Sequence, residues 1–169
     1  MSNQVAISNK VAISNKVAIL LDAQNVHFQS ETQVIALLQF AKKYGKPSYV
    51  KAYAGSIELN KWASIWDKWG IECRWVQASA SHKNDADKKI KADCMHYILP
   101  NPEISTVILL SKDGGFSKLV SQFQSHGKKV IIVTQSWNQT SEKLQKRVGL
   151  EGFYALNQVE KMFSRFNNT

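Results

Sequence analysis

Cysteine is nearly absent: Cys73 and Cys94 are the only two, with no metal-ligand spacing between them. A disulfide framework and a cysteine zinc site are thereby excluded, and both residues, flanked by apolar neighbours, read as small core fillers. No run approaches the roughly 20 apolar residues of a membrane-spanning helix. The first residues lack the basic region and continuous apolar core of a secretory signal, so the cytoplasm is the expected location. Acids are the minority charge, 13 Asp and Glu against 22 Lys and Arg, a net charge of +9. Such a field draws in phosphate polymers at long range, which makes nucleic acid, not membrane, the expected partner. With 169 residues and 44% hydrophobic content, the chain suffices for one folded domain with a sizeable core.

Several familiar chemistries are missing too. There is no G-x-x-x-x-G-K-[ST] phosphate loop and no G-x-G-x-x-G dinucleotide fingerprint. Ser111-Lys-Asp-Gly-Gly lacks the nucleophile elbow of a hydrolase, and Gln24 stands where an Asp-x-Asp phosphatase motif needs its second carboxylate. His27, His82, His96 and His126 are scattered. Trp62 and Trp66 sit at helical spacing and read as core, while Trp69 and Trp75 are left open between core and base stacking.

What is present begins with a tandem repeat, Val5-Ala-Ile-Ser-Asn-Lys10 and Val11-Ala-Ile-Ser-Asn-Lys16, before Val17-Ala-Ile-Leu-Leu-Asp22. Only the third copy continues into an apolar strand, so residues 1–16 are expected to form a dispensable extension and 17–166 the domain. The β-prone Val-Ala-Ile runs leave self-association open through edge pairing. Beyond Asn25, strands expected at Ser48 to Ala54, Ile71 to Gln77, Thr106 to Ser111, Lys129 to Thr134 and Phe153 to Leu156 alternate with helices. The helices fall near Val34 to Ala41, Leu59 to Trp69, Asn84 to Leu99, Phe116 to His126, Ser141 to Val148 and from about Val159. This alternation predicts an α/β fold: a doubly wound, mainly parallel sheet with helices on both faces, a Rossmann-like three-layer sandwich.

Two of the apolar strands end on aspartate, Asp22 and Asp113. Carboxyl ends of parallel strands point into the crevice where such sheets bind ligands, and the natural meeting place is the switch point between strands whose connections diverge. On the helix between them, at about 100° per residue, Ala86, Ile90, Cys94, Tyr97 and Ile98 share one arc, with Asp93 and Asp87 within or at its margin. A carboxylate on a buried helix face is costly unless paired or bound to a cation. Two of them favour a metal over a salt bridge. For Asp87 a bland reading stays open, a capping box with Asn84; Asp22 and Asp113 are equally at home in turns and at helix starts. Oxygen-only ligands select hard cations, so Mg²⁺ or Mn²⁺ is expected, and phosphodiester hydrolysis is the natural chemistry.

Four segments, Leu-Leu-Asp22-Ala-Gln-Asn25, Lys83 to Asp93, Leu-Leu-Ser-Lys-Asp113-Gly-Gly-Phe116 and Gly127-Lys-Lys-Val-Ile-Ile-Val133, resemble the NYN domain family, the PIN-like ribonuclease fold that includes LabA-like bacterial proteins. The resemblance spans roughly Val17 to Met162. It implies metal-dependent cleavage of RNA, single-stranded by expectation, with Asp22, Asp87 or Asp93, and Asp113 as catalytic acids binding Mg²⁺ or Mn²⁺ and Asn25 helping to orient the site. The chain departs from the family's usual Ser-Gly-Asp-x-Asp-Phe: Lys112 replaces the glycine and Gly115 the second aspartate. One carboxylate is lost and a competing cation gained, which predicts weakened metal affinity.

Candidate phosphate contacts are Lys83, Lys88, Lys89, Lys91 and Lys112 beside the acids, and Lys143, Lys146 and Arg147 on the following short helix; a solvated helix face explains each separately as well. Two rivals to the ribonuclease reading stand beside it. One is a binding or regulatory module that kept the basic surface and lost cleavage at Gly115; the other is an aspartyl phosphotransfer domain of the receiver type.

Overall fold

The computed structural model describes residues 15–77 and 85–164. Six strands form one parallel sheet: β1 (Lys16–Asp22), β2 (Lys46–Ala54), β3 (Glu72–Trp75), β4 (Ile104–Leu110), β5 (Lys129–Thr134) and β6 (Phe153–Ala155), in the order β3-β2-β1-β4-β5-β6. Strands whose sequence is apolar on both faces take the middle, because only there are both faces covered. In β1, Val17 to Leu21 are all buried, and so are Thr106 to Leu110 of β4. The doubly wound architecture expected from the alternation is the one found.

Helices α1 (Glu31–Lys42), α2 (Ser56–Lys68) and α6 (Leu156–Ser164) cover one face. They close a core around Ile19, Leu37, Phe40, Trp66 and Ile108. Helices α3 (Asp85–Asp93), α4 (Ser117–Ser125) and α5 (Glu142–Val148) cover the other, around Leu20, Ile90, Leu109, Phe116 and Phe123. Trp62 and Trp66 are core residues as expected, whereas Trp69 and Trp75 are exposed.

Local sequence explains the helix ends. Ser30 caps α1 by accepting from the Gln33 N–H at 3.4 Å, with Glu31 in the first turn and Lys42 in the last, as the helix dipole favours. Helix α4 stops where Gly127 enters the left-handed region at φ +75°. That turn lets the Lys128 N–H reach back to the Phe123 carbonyl at 3.0 Å, a closure that L side chains disfavour. Lys128 itself is buried, and its ammonium donates to the Asn101 and Ile104 carbonyls at 2.7 and 2.6 Å, tying the entry of β4 to the end of α4.

One helix departs from the regular period. Helix α3 continues as a π turn over Cys94–Ile98, in which the Leu99 N–H donates to the Cys94 carbonyl, five residues back, at 2.8 Å. The wider turn breaks the 100° spacing. Cys94 and Ile98 stay buried, but Tyr97, expected on the same arc, is turned out to 57% exposure. It stacks on Tyr49 instead, with ring centroids 6.3 Å apart. Edge strand β3 is shorter than the expected Ile71 to Gln77. The expected cap Asn84 and the first two repeat copies up to Ser14 lie outside the described residues.

Candidate active site

Strands β1 and β4 are neighbours at the middle of the sheet, and β1 continues toward β2 while β4 continues toward β5. The connections diverge there, so the crevice opens at their carboxyl ends. Asp22 closes β1 on the face that carries Ala18 and Leu20. It is only 3% exposed. Burial, and next the charge of Asp87, push its carboxyl up from 3.8 to about 7; Asp113 adds to this, while hydrogen bonds from Ser111 and the Gln24 N–H oppose it.

Ser111, fully buried just past β4, joins two of the acids. Its hydroxyl donates to Asp22 Oδ2 at 3.3 Å and accepts from the Asp113 N–H at 3.2 Å. Sequence reasoning gave Ser111 no role. The signal was a hydroxyl ending an otherwise apolar strand one residue before the Lys-Asp pair.

Asp113 caps the short 3-10 turn Gly114–Phe116, with Oδ1 accepting from the Gly115 N–H at 2.9 Å. A turn role and a site role therefore coincide in one residue. Asp87, half-buried in the first turn of α3, faces it. Burial raises the Asp87 carboxyl to about 6, helped by the charge of Asp113 and a hydrogen bond with it, and Lys91 opposes the rise. Gly115 lies against the pair: a Cβ there would stand 3.3 Å from Asp113 Oδ1 and 3.4 Å from Asp87 Oδ2.

The expectation that Asp93 joins this cluster as a cation ligand and catalytic acid is corrected. Its Oδ2 accepts from the Tyr53 hydroxyl at 2.6 Å and its Oδ1 from Arg74 Nη2 at 3.2 Å. Both oxygens are engaged by protein donors, which explains how a carboxylate 5% exposed is tolerated on a buried helix face. Asp93 anchors α3 to β2 and β3. Asn25 also has a defined place: its Oδ1 accepts the Lys112 N–H at 3.2 Å, bracing the loop after β1 against the loop after β4. The Ser141 N–H holds that second loop from the other side, donating to the Lys112 carbonyl at 3.0 Å.

The basic residues divide. Lys91 stands over the Phe116 ring at 5.3 Å and acts electrostatically on Asp87. The Lys143 stem passes the 3-10 turn, its Cδ 3.5 Å from where a Gly114 Cβ would be. Lys89 folds away, its ammonium donating to the Trp75 carbonyl at 2.6 Å. Lys88 is exposed on α3, and Lys146 and Arg147 are exposed in the last turn of α5. Lys83 lies outside the described residues. Lys118, which the sequence did not single out, lines a cleft with Lys91 and Gly115.

Among the described residues no group of three or more His, Cys, Asp and Glu is gathered tightly enough to hold a metal ion. The donor chemistry nonetheless suits a hard cation. Mg²⁺ is commonly held by one or two carboxylates, with waters and substrate phosphates completing its shell. Asp87 and Asp113 supply such a pair, close enough that the charge of Asp113 helps raise the Asp87 carboxyl. Asp22 lends charge from the side.

The family model of the NYN domain matches residues 16–151. The chain belongs to the NYN domain family. NYN domains have the fold of PIN-like nucleases, which typically use divalent metals. Among solved structures, a protein of unknown function from Vibrio parahaemolyticus RIMD 2210633 shares this fold at a TM-score of 0.68 and 28% identity, covering 88% of this chain and 96% of that one. No curated protein matches. Membership in the NYN family favours the nuclease-like readings over the receiver type, and no described helix of this NYN chain is long and apolar enough to cross a membrane.

Proposed function

We propose that the protein is a cytoplasmic, metal-dependent ribonuclease that hydrolyses phosphodiester bonds of single-stranded RNA. The observation that carries this reading is the meeting of Asp22, Asp87 and Asp113 at the switch point, with two of the three carboxyls raised toward neutrality in a chain of net charge +9. A divalent cation, Mg²⁺ or Mn²⁺, would be held by Asp87 and Asp113 and would supply charge neutralisation at the scissile phosphate and an activated water. Asp22, held beside the pair by Ser111, would accept a proton from the attacking water. Ser111 fixes the orientation of Asp22, and Asn25 fixes the Lys112 backbone beside it. Lys91, Lys112 and Lys143 offer positive charge to the flanking phosphates, with Lys88, Lys146 and Arg147 further along the basic surface.

The test is cleavage of labelled single-stranded RNA by the wild type and Asp22→Asn in Mn²⁺, Mg²⁺ and EDTA. Cleavage by the wild type alone, abolished by EDTA, is the expected outcome. One observation favours a second reading: Gly115 leaves the Asp87 and Asp113 pair without the family's further carboxylate. RNA binding without cleavage in any metal would make the protein a binding module. Gly115→Asp then tests rescue, since the site accepts a Cβ with shifts of only a few tenths of an ångström.

A further inference from the structure

A cleft of about 270 Å³ lies between α3 and α4, lined by Lys91, Met95, Gly115, Lys118, Leu119 and Gln122. Its composition is specific. Leu119 is buried and gives an apolar floor, Met95 lies open at 44% exposure, and two ammonium groups stand among the lining residues with no carboxylate among them. One residue borders both the cleft and the acids. Gly115 belongs to its wall, and a Cβ on Gly115 would sit within 3.4 Å of both Asp87 Oδ2 and Asp113 Oδ1.

Volume, polarity and charge together restrict the occupant. Drug-sized ligands take roughly 300–1,000 Å³, so this space suits something smaller, of the order of one nucleotide unit. Thioether and aliphatic surfaces pack against a flat π system. Paired lysines suit a phosphate, and a carboxylate ligand would not need the apolar floor. Lys91 lies four residues after Asp87, one helical turn along α3, so a phosphate on Lys91 stands about one turn from the acids. The π turn contributes as well, because Met95 falls within it rather than on a regular turn of α3.

Resting on the ribonuclease reading above, we infer that this cleft seats the nucleotide adjoining the scissile phosphate of a single-stranded RNA. Its base lies on Met95 and Leu119, and its phosphate lies between Lys91 and Lys118.

The experiment measures anisotropy of a fluorescein-labelled single-stranded RNA octanucleotide with the full chain carrying Asp22→Asn, in EDTA, so that no cleavage interferes. Three further substitutions are compared in that background: Lys118→Ala, Gln122→Trp to fill the cleft, and Lys161→Ala on α6, whose helix covers the opposite face of the sheet. Lys118→Ala is expected to weaken binding several-fold and to flatten the salt dependence of log K by about 0.7, the loss of one single-strand phosphate contact. Gln122→Trp is expected to weaken binding by a similar factor, and Lys161→Ala by less than about twofold. An abasic octamer should remain sensitive to Lys118→Ala and become insensitive to Gln122→Trp. Thermal melts verify that each variant folds.

Unchanged binding in both cleft variants overturns the inference, and so does failure of the parent to bind RNA. Sensitivity to Lys118→Ala alone overturns the base seat. The ribonuclease reading fails separately: if both cleft variants lose RNA while the wild type cleaves none in Mn²⁺ or Mg²⁺, the seat stands and hydrolysis falls.

Discussion

Replacing Asp22 by asparagine should make the metal-free protein more stable at neutral pH while removing its activity. The Asp22 carboxyl rises from 3.8 to about 7 on folding, because it is buried and faces Asp87. Between those values the folded state holds a proton that the unfolded chain releases, so stability falls as pH rises through the window and levels off above about 7. A shift of about three units corresponds to about 4 kcal/mol. Asparagine keeps the shape and an oxygen for the Ser111 hydroxyl but carries no charge. We expect Asp22→Asn to exceed the wild type by about 2–4 kcal/mol near pH 8 in EDTA, a Tm gain on the order of 10 °C for a chain of this length. The two curves should approach each other near pH 4 and meet below it, where the carboxyl of the unfolded chain is also protonated. Urea unfolding followed by tryptophan fluorescence from pH 4 to 8 measures this. A destabilised Asp22→Asn at pH 8, or parallel pH profiles, would refute the claim that ionised Asp22 is held at a cost. Added Mn²⁺ should raise the Tm of the wild type, and that of the variant by less, since the charge of Asp22 is lost while Asp87 and Asp113 remain.

Tyr53→Phe removes one of the two donors to the buried Asp93 carboxylate and should cost about 1.5–3 kcal/mol in denaturant unfolding. Metal-stimulated RNA cleavage should survive it, since Asp93 serves packing; loss of cleavage at full folding would restore Asp93 to the site. Ser111→Ala deletes a hydrogen bond that holds the Asp22 carboxyl down, so the acidic limb of the pH–rate profile should move to higher pH, and an unmoved limb would exclude Asp22 as the titrating group. Lys128→Met leaves the Asn101 and Ile104 carbonyls without their donor and should cost about 1–3 kcal/mol by chemical denaturation, with RNA cleavage unchanged.

The strand ends were legible because burial on both faces writes itself into sequence as an unbroken apolar run. Val17 to Leu21 and Val107 to Leu110 read as central strands, and the acids that follow them stand at carboxyl ends, where a site role and a turn role were both open. Asp93 was not legible for the opposite reason. Helical periodicity reports which face a residue occupies and says nothing of what waits there, and its partners Tyr53 and Arg74 come from two other strands, 40 and 19 residues away. Tyr97 was misplaced because a π turn changes the period itself. Lys118 was missed because its significance arises only when α3 and α4 form a cleft, a long-range pairing that no local pattern encodes.

The arrangement of charge ties cation and RNA together. Ionised Asp22, Asp87 and Asp113 repel a phosphate backbone at short range, although the surrounding lysines attract it at long range. On the proposed reading, a cation held by Asp87 and Asp113 would lessen that repulsion, and an arriving phosphate would lend it further oxygen ligands. Each ligand improves the site for the other, and the coupling is reciprocal. A glycine at position 115 strengthens that dependence: with one carboxylate fewer, less of the cation's affinity comes from the protein and more from the substrate, so such a site charges itself chiefly when RNA is already in the cleft.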